Sequence, residues 1–355
     1  MTNSSGSADD ALFLSHRGQP DFNMTATPVR IGVNFDGFVT TGEAIALAQR
    51  AVDAGAKSLW VAEHLGYREA IATCMAFAIK APGPMLVPTA VSPYLWHPTP
   101  TAMAMATLDE VAPGCAAIAI GAGNPLFLQE SGRAVERPVR AMRQFTEALR
   151  KLWSGEAVHV EGEFVTLAGA RLAFRPSAPI PIYIAAMGPD MLRLAGRIGD
   201  GVVLSAGLST ASVRQSIALC AEGAARDGRD LAAFRRAGYL FFGVSHDARE
   251  AVDAVRKKLA FVMRNKFLAA NINASGIAVD QEAVIAAIAR RDIAGAAALV
   301  PDEAVEAFGI AGTPRHCTKR LHDFIEAGIS EPVLGLLGSS ENCLLALDVM
   351  REFVA

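Results

Sequence analysis

Residues 181–204 read PIYIAAMGPDMLRLAGRIGDGVVL. An apolar run over 181–186 breaks at Met187-Gly188-Pro189-Asp190, a helix is expected over 189–198, and Gly199-Asp200-Gly201 leads into a second apolar run. Pro suits the first turn of a helix, where its missing N–H removes nothing, and Gly suits the stop. The stretch is therefore a strand, a helix and the next strand in immediate succession, the unit of a parallel sheet. Small Ala185 and Ala186 precede the break, with no bulky or charged side chain. Two explanations remain open: close packing, or a ligand lying against the backbone where the helix starts.

The same unit recurs from Val29 onward. Strands are expected near 29–35, 58–62, 85–91, 116–121, 181–186, 201–205, 237–244 and 332–337, with helices over 41–54, 68–80, 99–110, 138–153, 189–198, 210–226, 314–327 and 340–353. Gly55, Gly114, Gly155, Gly199 and Gly328 stand where left-handed helix stops are needed. Eight strands in alternation with helices predict a (β/α)8 TIM barrel, and such barrels often use the whole of a chain this long as one domain. We assign 29–355 to that domain and 1–28 to a flexible tail, with Leu12, Phe13 and Leu14 available for docking. Two segments exceed the minimal unit. Residues 156–175 alternate around Glu161-Gly162-Glu163 and predict a β-hairpin insertion before strand 5. Residues 247–312 predict a helical insertion after strand 7, forming a lid, a pocket wall or a subunit contact.

Composition narrows the function. The 355 residues carry 33 Lys+Arg against 36 Asp+Glu, a formal charge of -3, so no basic field invites nucleic acid or an anionic membrane. The five cysteines are scattered without CxxC spacing, as reduced thiols of a cytoplasmic protein would be. The longest uncharged run, 81–108, holds six prolines and cannot be a spanning helix. No basic segment followed by an apolar one marks a signal peptide. A small-molecule substrate is the expected partner, and the expected location is cytoplasmic.

In barrels of this kind the chemistry gathers at the C-terminal ends of the strands. Those ends read Asn34-Phe35-Asp36, Glu63-His64, Val91-Ser92, Gly121-Ala122-Gly123-Asn124, Ala186-Met187-Gly188-Pro189 and Ser205. Several are small, which leaves room for a large flat ligand. A phosphate on that ligand would suit the helix start at Pro189, through oriented N–H groups and the helix dipole.

WVAEHLGYRE (60–69), VPTAVSPYLWHPTPTAMAMATLDEVAPG (87–114), AIGAGNP (119–125), IAAMGPDMLRLAGRIGDGVVLS (184–205) and FGIAGTPRHCTKRLHDFIEAGISEPVL (308–334) together resemble the bacterial luciferase-like oxidoreductases. Within that superfamily the chain is most similar to the branch of the F420-dependent methylenetetrahydromethanopterin reductases. The resemblance implies a homodimeric barrel that binds the deazaflavin coenzyme F420, or FMN, at the strand C-termini. The implied reaction is hydride transfer to or from a small organic substrate; the alternative is an FMN-dependent two-component monooxygenase with a flavin reductase partner. By the resemblance, Ala186, Met187, Gly188 and Pro189 hold the cofactor phosphate, with Ser205 beside them. Gly121, Ala122, Gly123 and Asn124 line its side chain. Ala90-Val91 falls where the family carries a non-proline cis peptide beneath the central ring.

Glu63-His64 matches an acidic-His pair beside ring and substrate, and His64 is the candidate for moving a proton, because imidazole titrates near neutrality. The plainer alternative is a histidine that caps the second helix or satisfies Glu63. Arg68 stands where sugar and alcohol dehydrogenases of the superfamily often have Trp, and is read either as meeting an acidic substrate or cofactor tail or as an ordinary surface arginine. Asn124 replaces the Glu or Asp of several relatives and is given only a hydrogen-bonding role. His97 is read as structural. Arg133, Arg137, Arg140 and Arg143 form either a basic rim for a polyglutamate tail or a solvated helix face. No metal-ligand spacing and no serine nucleophile elbow occurs. A barrel hydrolase using Glu63 and His64, or a non-catalytic flavin-binding protein, remains compatible with the same residues.

Overall fold

The computed structural model describes residues 29–354; the tail reading of 1–28 lies outside them. Eleven strands are present among the described residues: β1 (Gly32–Phe35), β2 (Ser58–Ala62), β3 (Met85–Thr89), β4 (Ile118–Ile120), β5 (Val158–Glu161), β6 (Thr166–Ala170), β7 (Ile182–Ala186), β8 (Gly201–Leu204), β9 (Arg235–Val244), β10 (Ile310–Gly312) and β11 (Glu331–Leu337). The first helices are α1 (Thr41–Asp53), α2 (Ala70–Lys80), α3 (Pro98–Val111), α4 (Pro125–Glu130), α5 (Pro138–Trp153), α6 (Pro189–Ile198) and α7 (Thr210–Arg226). They are followed by α8 (Ala248–Met263), α9 (Ala269–Ser275), α10 (Gln281–Ala289), α11 (Ile293–Ala298), α12 (Asp302–Phe308), α13 (Pro314–Glu326) and α14 (Ser340–Val354).

Eight strands pair in parallel in the order β3-β2-β1-β11-β9-β8-β7-β4. The ends of that path meet through single bridges, Leu86 to Ala116 and Val91 to Ile120, so the barrel is nearly closed. Period-two alternation puts residues of opposite parity on the two faces. Trp60, Val87, Ala117, Ala119, Tyr183, Val203, Ala237 and Val333 form the inner cluster. The other parity, with Val33, Leu59, Leu86, Ile118, Ile184 and Leu334, meets the helices in the main core. Close approach inside the barrel explains Gly201, whose added Cβ would lie 2.7 Å from the Tyr183 ring.

The hairpin is present as β5 paired antiparallel with β6. The long connection after β9 consists of α8, a 3-10 turn at Lys266–Leu268, and α9 to α12. Asp280 and Asp292 restart helices by accepting from the Ala283 and Gly295 amides, so local caps divide the helical insertion. The same connection contributes β10, which sequence reading missed because it is three residues long. It pairs with Phe242, Gly243 and Val244 of β9, beyond the segment of β9 that pairs with β8. The insertion therefore extends the barrel wall at its C-terminal end. It carries its own core of Val255, Leu259, Met263, Val284, Val305 and Phe308.

Two further boundaries moved. Strand β3 ends at Thr89, two residues short of expectation, and α4 follows the fourth strand unannounced. Helix α2 starts at Ala70 because Glu69 caps it, accepting from the Ile71 and Ala72 amides.

Candidate active site at the C-terminal end of the barrel

The floor of the site is built from three neighbouring strands. An added Cβ at Gly121 would lie 2.8 Å from Ala90 Cβ and 3.2 Å from Ala185 Cβ, so β3, β4 and β7 meet there with nothing larger than a methyl group. The cis peptide is present, but it joins Thr89 to Ala90, one bond earlier than Ala90-Val91. The pairing explains the offset: Val91 already donates to Ala119 and accepts from Gly121, so it belongs to the β4 ladder and the bulge falls before it. Ser92 closes the edge by donating to the Ala122 carbonyl at 3.0 Å. Gly123 and Asn124 are exposed beyond it, and the Asn124 carbonyl accepts from Leu128 to begin α4.

Next to this floor, β7 hands over to α6. Gly188 has φ 78 and ψ 155, a region essentially restricted to glycine, and Pro189 occupies the first turn. A helix start leaves its first N–H groups without partners inside the helix, and Gly188 offers no side chain to cap them. An added Cβ at Gly188 would meet nothing within 4 Å. The start of this ten-residue helix thus borders open space at Gly188 without a side-chain cap, an arrangement suited to an anion. Met187 is half-buried against the core of the insertion, and Ser205 follows Leu204, which pairs with Ala186. The predicted phosphate and ring residues therefore lie together.

The plainer reading of His64 does not hold. His64 neither caps α2 nor satisfies Glu63. Its Nδ1 lies 2.8 Å from the Asp36 carbonyl in the loop after β1. A carbonyl can only accept, so Nδ1 carries a proton and Nε2 is the nitrogen that can take or give one. The Phe38 ring packs 5.0 Å from the imidazole, and Tyr67 lies 4.6 Å from Phe38. Glu63 instead caps the second helix, its Oε2 accepting from the Ala70 amide at 2.8 Å. Burial pushes its carboxyl above the usual carboxylate range, opposed by that amide and aided by the charge of Glu69. Arg68 turns to the β1 loop, with Nη1 donating to the Gly37 and Phe38 carbonyls. Arg137 and Arg140 both pair with Glu163 of the hairpin, so half of the supposed basic rim already has a counter-charge. His97 caps α3 through Nδ1, accepting from Thr99.

Sequence reading passed over three residues at this end. Asp36 was seen only as a strand end, although its carbonyl fixes His64 and its carboxylate pairs with Lys258 at 3.5 Å. Lys258 lies in α8, where no motif marked it. Tyr239 follows the inward parity of β9 and accepts from Asn34 at 3.2 Å; burial, then the Asp36 charge, pushes its hydroxyl well above the ordinary range and keeps it protonated. Among the described residues no group of three or more His, Cys, Asp or Glu is placed to hold a metal, and no helix is long and apolar enough to cross a membrane. Cys220 and Cys317 are free, and burial pushes each thiol up to about 12, which removes the thiolate at neutral pH.

Comparison with known proteins agrees with this geometry. The chain is 32% identical to 5,10-methylenetetrahydromethanopterin reductase of Archaeoglobus fulgidus, over 80% of this chain and 86% of that protein. It is 33% identical to the F420-dependent glucose-6-phosphate dehydrogenase of Beutenbergia cavernae over 51% of this chain and 58% of that one. The solved structure of coenzyme F420-dependent tetrahydromethanopterin reductase from Methanopyrus kandleri superposes with a TM-score of 0.83 at 25% identity, covering 92% of this chain and 98% of that one. Residues 20–331 match the pattern of the luciferase-like monooxygenases. This chain belongs to that family and is an oxidoreductase of the luciferase-like type.

Proposed function

We propose that the chain is a coenzyme F420-dependent oxidoreductase that transfers a hydride between the deazaflavin and a small organic substrate. The carrying observation is the junction of a methyl-lined floor at Ala90, Gly121 and Ala185 with the open, uncapped start of α6. It occurs in a chain 32% identical to a methylenetetrahydromethanopterin reductase. A flat ring fits the first feature and a phosphate fits the second, so the residues suit the coenzyme. When bound, the deazaflavin supplies a hydride donor or acceptor and reacts poorly with oxygen.

The chain's own residues do the rest. Gly188 and the Asp190 and Met191 amides hold the anion, and Gly121 keeps β4 low enough for the ring to lie flat. His64, held by the Asp36 carbonyl, exchanges a proton with the substrate through Nε2. Glu63 positions α2 and hence the His64 loop; it does not itself exchange a proton. Equilibrium titration of the protein with F420 and with FMN tests the reading. Tight F420 binding, and turnover with a reduced or oxidised substrate, is expected. Tight FMN binding with none for F420 would move the function to a two-component monooxygenase, and binding of either coenzyme without any turnover would leave a carrier.

A further inference from the structure

Helix α8 of the insertion packs against β9, β10 and β11 and overhangs the barrel mouth. Between it and the loops after β1 and β11 lies a cavity of about 280 Å³, whose walls include Phe38, Lys257, Lys258, Phe261 and Leu337. Its chemistry is uneven. Two lysines and no acidic residue line it, while the rest of the wall is aromatic, aliphatic or glycine. Lys258 Nζ stands 5.1 Å from the centre of the Phe38 ring, within range of a cation–π contact. The Arg264 guanidinium lies 3.9 Å from the centre of Phe261, placing a third cation on that ring, with Glu130 the carboxylate acting on it. The counter-charge nearest Lys258 is Asp36, at 3.5 Å and outside the lining. Phe38 joins the cavity to the chemistry, because its ring also packs on His64, with centres 5.0 Å apart.

A cavity with ring walls and a net positive lining discriminates by charge. A cation meets Lys257 and Lys258 as like charges, and a neutral apolar ligand strips water from them without replacing it. A planar anion stacks on the phenyl rings and gives the lysines a partner. We propose that this cavity selects the substrate and takes the aromatic, carboxylate-bearing end of a planar anion, with Lys258 releasing Asp36 to pair with it. The proposal rests on the reading of His64 and the adjacent floor as the reaction site, and it deepens that reading by naming the substrate class.

The test is isothermal titration of the full chain with 2-naphthoate and with neutral 2-naphthamide, alongside a separate titration with F420. The naphthoate is expected to bind more tightly than the amide and to weaken with added salt, whereas the amide is expected to be insensitive to salt. Lys258→Met should weaken naphthoate about tenfold and leave naphthamide and F420 unchanged. Lys258→Arg should restore most of the loss. Equal naphthoate affinity in wild type and Lys258→Met would overturn the proposal and reduce Lys258 to a tie between α8 and the β1 loop. Loss of F420 in place of naphthoate would give the cavity to the coenzyme's tail and also overturn it, as would a wild-type chain with no naphthoate affinity. The salt comparison needs no variant and decides the matter if Lys258→Met does not fold. A naphthoate pattern as described in a chain that ignores F420 would leave the substrate pocket standing and remove the coenzyme.

Discussion

The two ends of the barrel interior use opposite chemistry. At the N-terminal end Glu331, 1% exposed, accepts from Ser58 at 2.8 Å and from Tyr183 at 2.7 Å. Trp60 donates to Ser58, and Arg235 donates to the Tyr183 hydroxyl, so large side chains and a closed hydrogen-bond chain seal the bottom. At the C-terminal end the corresponding inward positions are Ala185, Gly121 and the loop at Gly188, and the backbone is left open. The difference separates stability from function. The sealed end satisfies every polar group named here with another side chain, while at the open end α6 starts without a side-chain cap.

The largest effect is expected where the sealed end is broken. Glu331→Ala leaves the buried Ser58 and Tyr183 hydroxyls without their acceptor and removes a carboxylate whose charge acts on Arg235, which costs about 3–5 kcal/mol. Urea denaturation measures it, and a loss below about 1 kcal/mol would show that water replaces the carboxylate and that the bottom is not sealed. At the open end His64→Ala is expected to lower turnover about 10²-fold while coenzyme affinity is kept. Steady-state kinetics at saturating substrate decides, and near-normal turnover would leave His64 as packing against Phe38.

A smaller effect separates charge from shape at the helix start. Both Gly188→Ala and Gly188→Asp carry the strain of an L-residue at φ 78, ψ 155, about 1–3 kcal/mol of stability. Only the Asp variant adds a negative charge, so it should bind F420 about tenfold more weakly than the Ala variant by calorimetric titration. Equal affinities would move the phosphate elsewhere. The smallest effect concerns Glu63, whose folded-state pKa is raised, chiefly by burial. Its contribution is fully present below the ordinary glutamate value of 4.5 and is lost as pH rises through the folded value. Glu63→Gln keeps an oxygen for the Ala70 amide and should remove that loss. The difference in Tm between variant and wild type should therefore shift in favour of the variant from about pH 4 to pH 7. A difference that does not change with pH would contradict the burial of Glu63.

The sequence by itself determined the barrel strands and the helix start at Gly188-Pro189. Alternating apolar runs, glycine stops and the Gly188-Pro189 start are local signals, each set by the conformational limits of a few adjacent residues, and they needed no distant contact to be legible. That is why α6, β7 and β8 were located to within a residue. The tertiary structure decided what each polar side chain does. His64 was visible as a candidate, but its partner is a carbonyl at the end of another strand, and Glu63 and Arg68, chosen for chemistry, are occupied by the Ala70 amide and the β1 loop. Short β10 and the breaks between α8 and α12 depend on pairing with β9 and on caps inside an apolar background, where periodicity carries no register. Lys258 reaches Phe38 and Asp36 only because the insertion folds back over the mouth. Such contacts join residues far apart in the chain, and their energy appears only after the loops between them have closed.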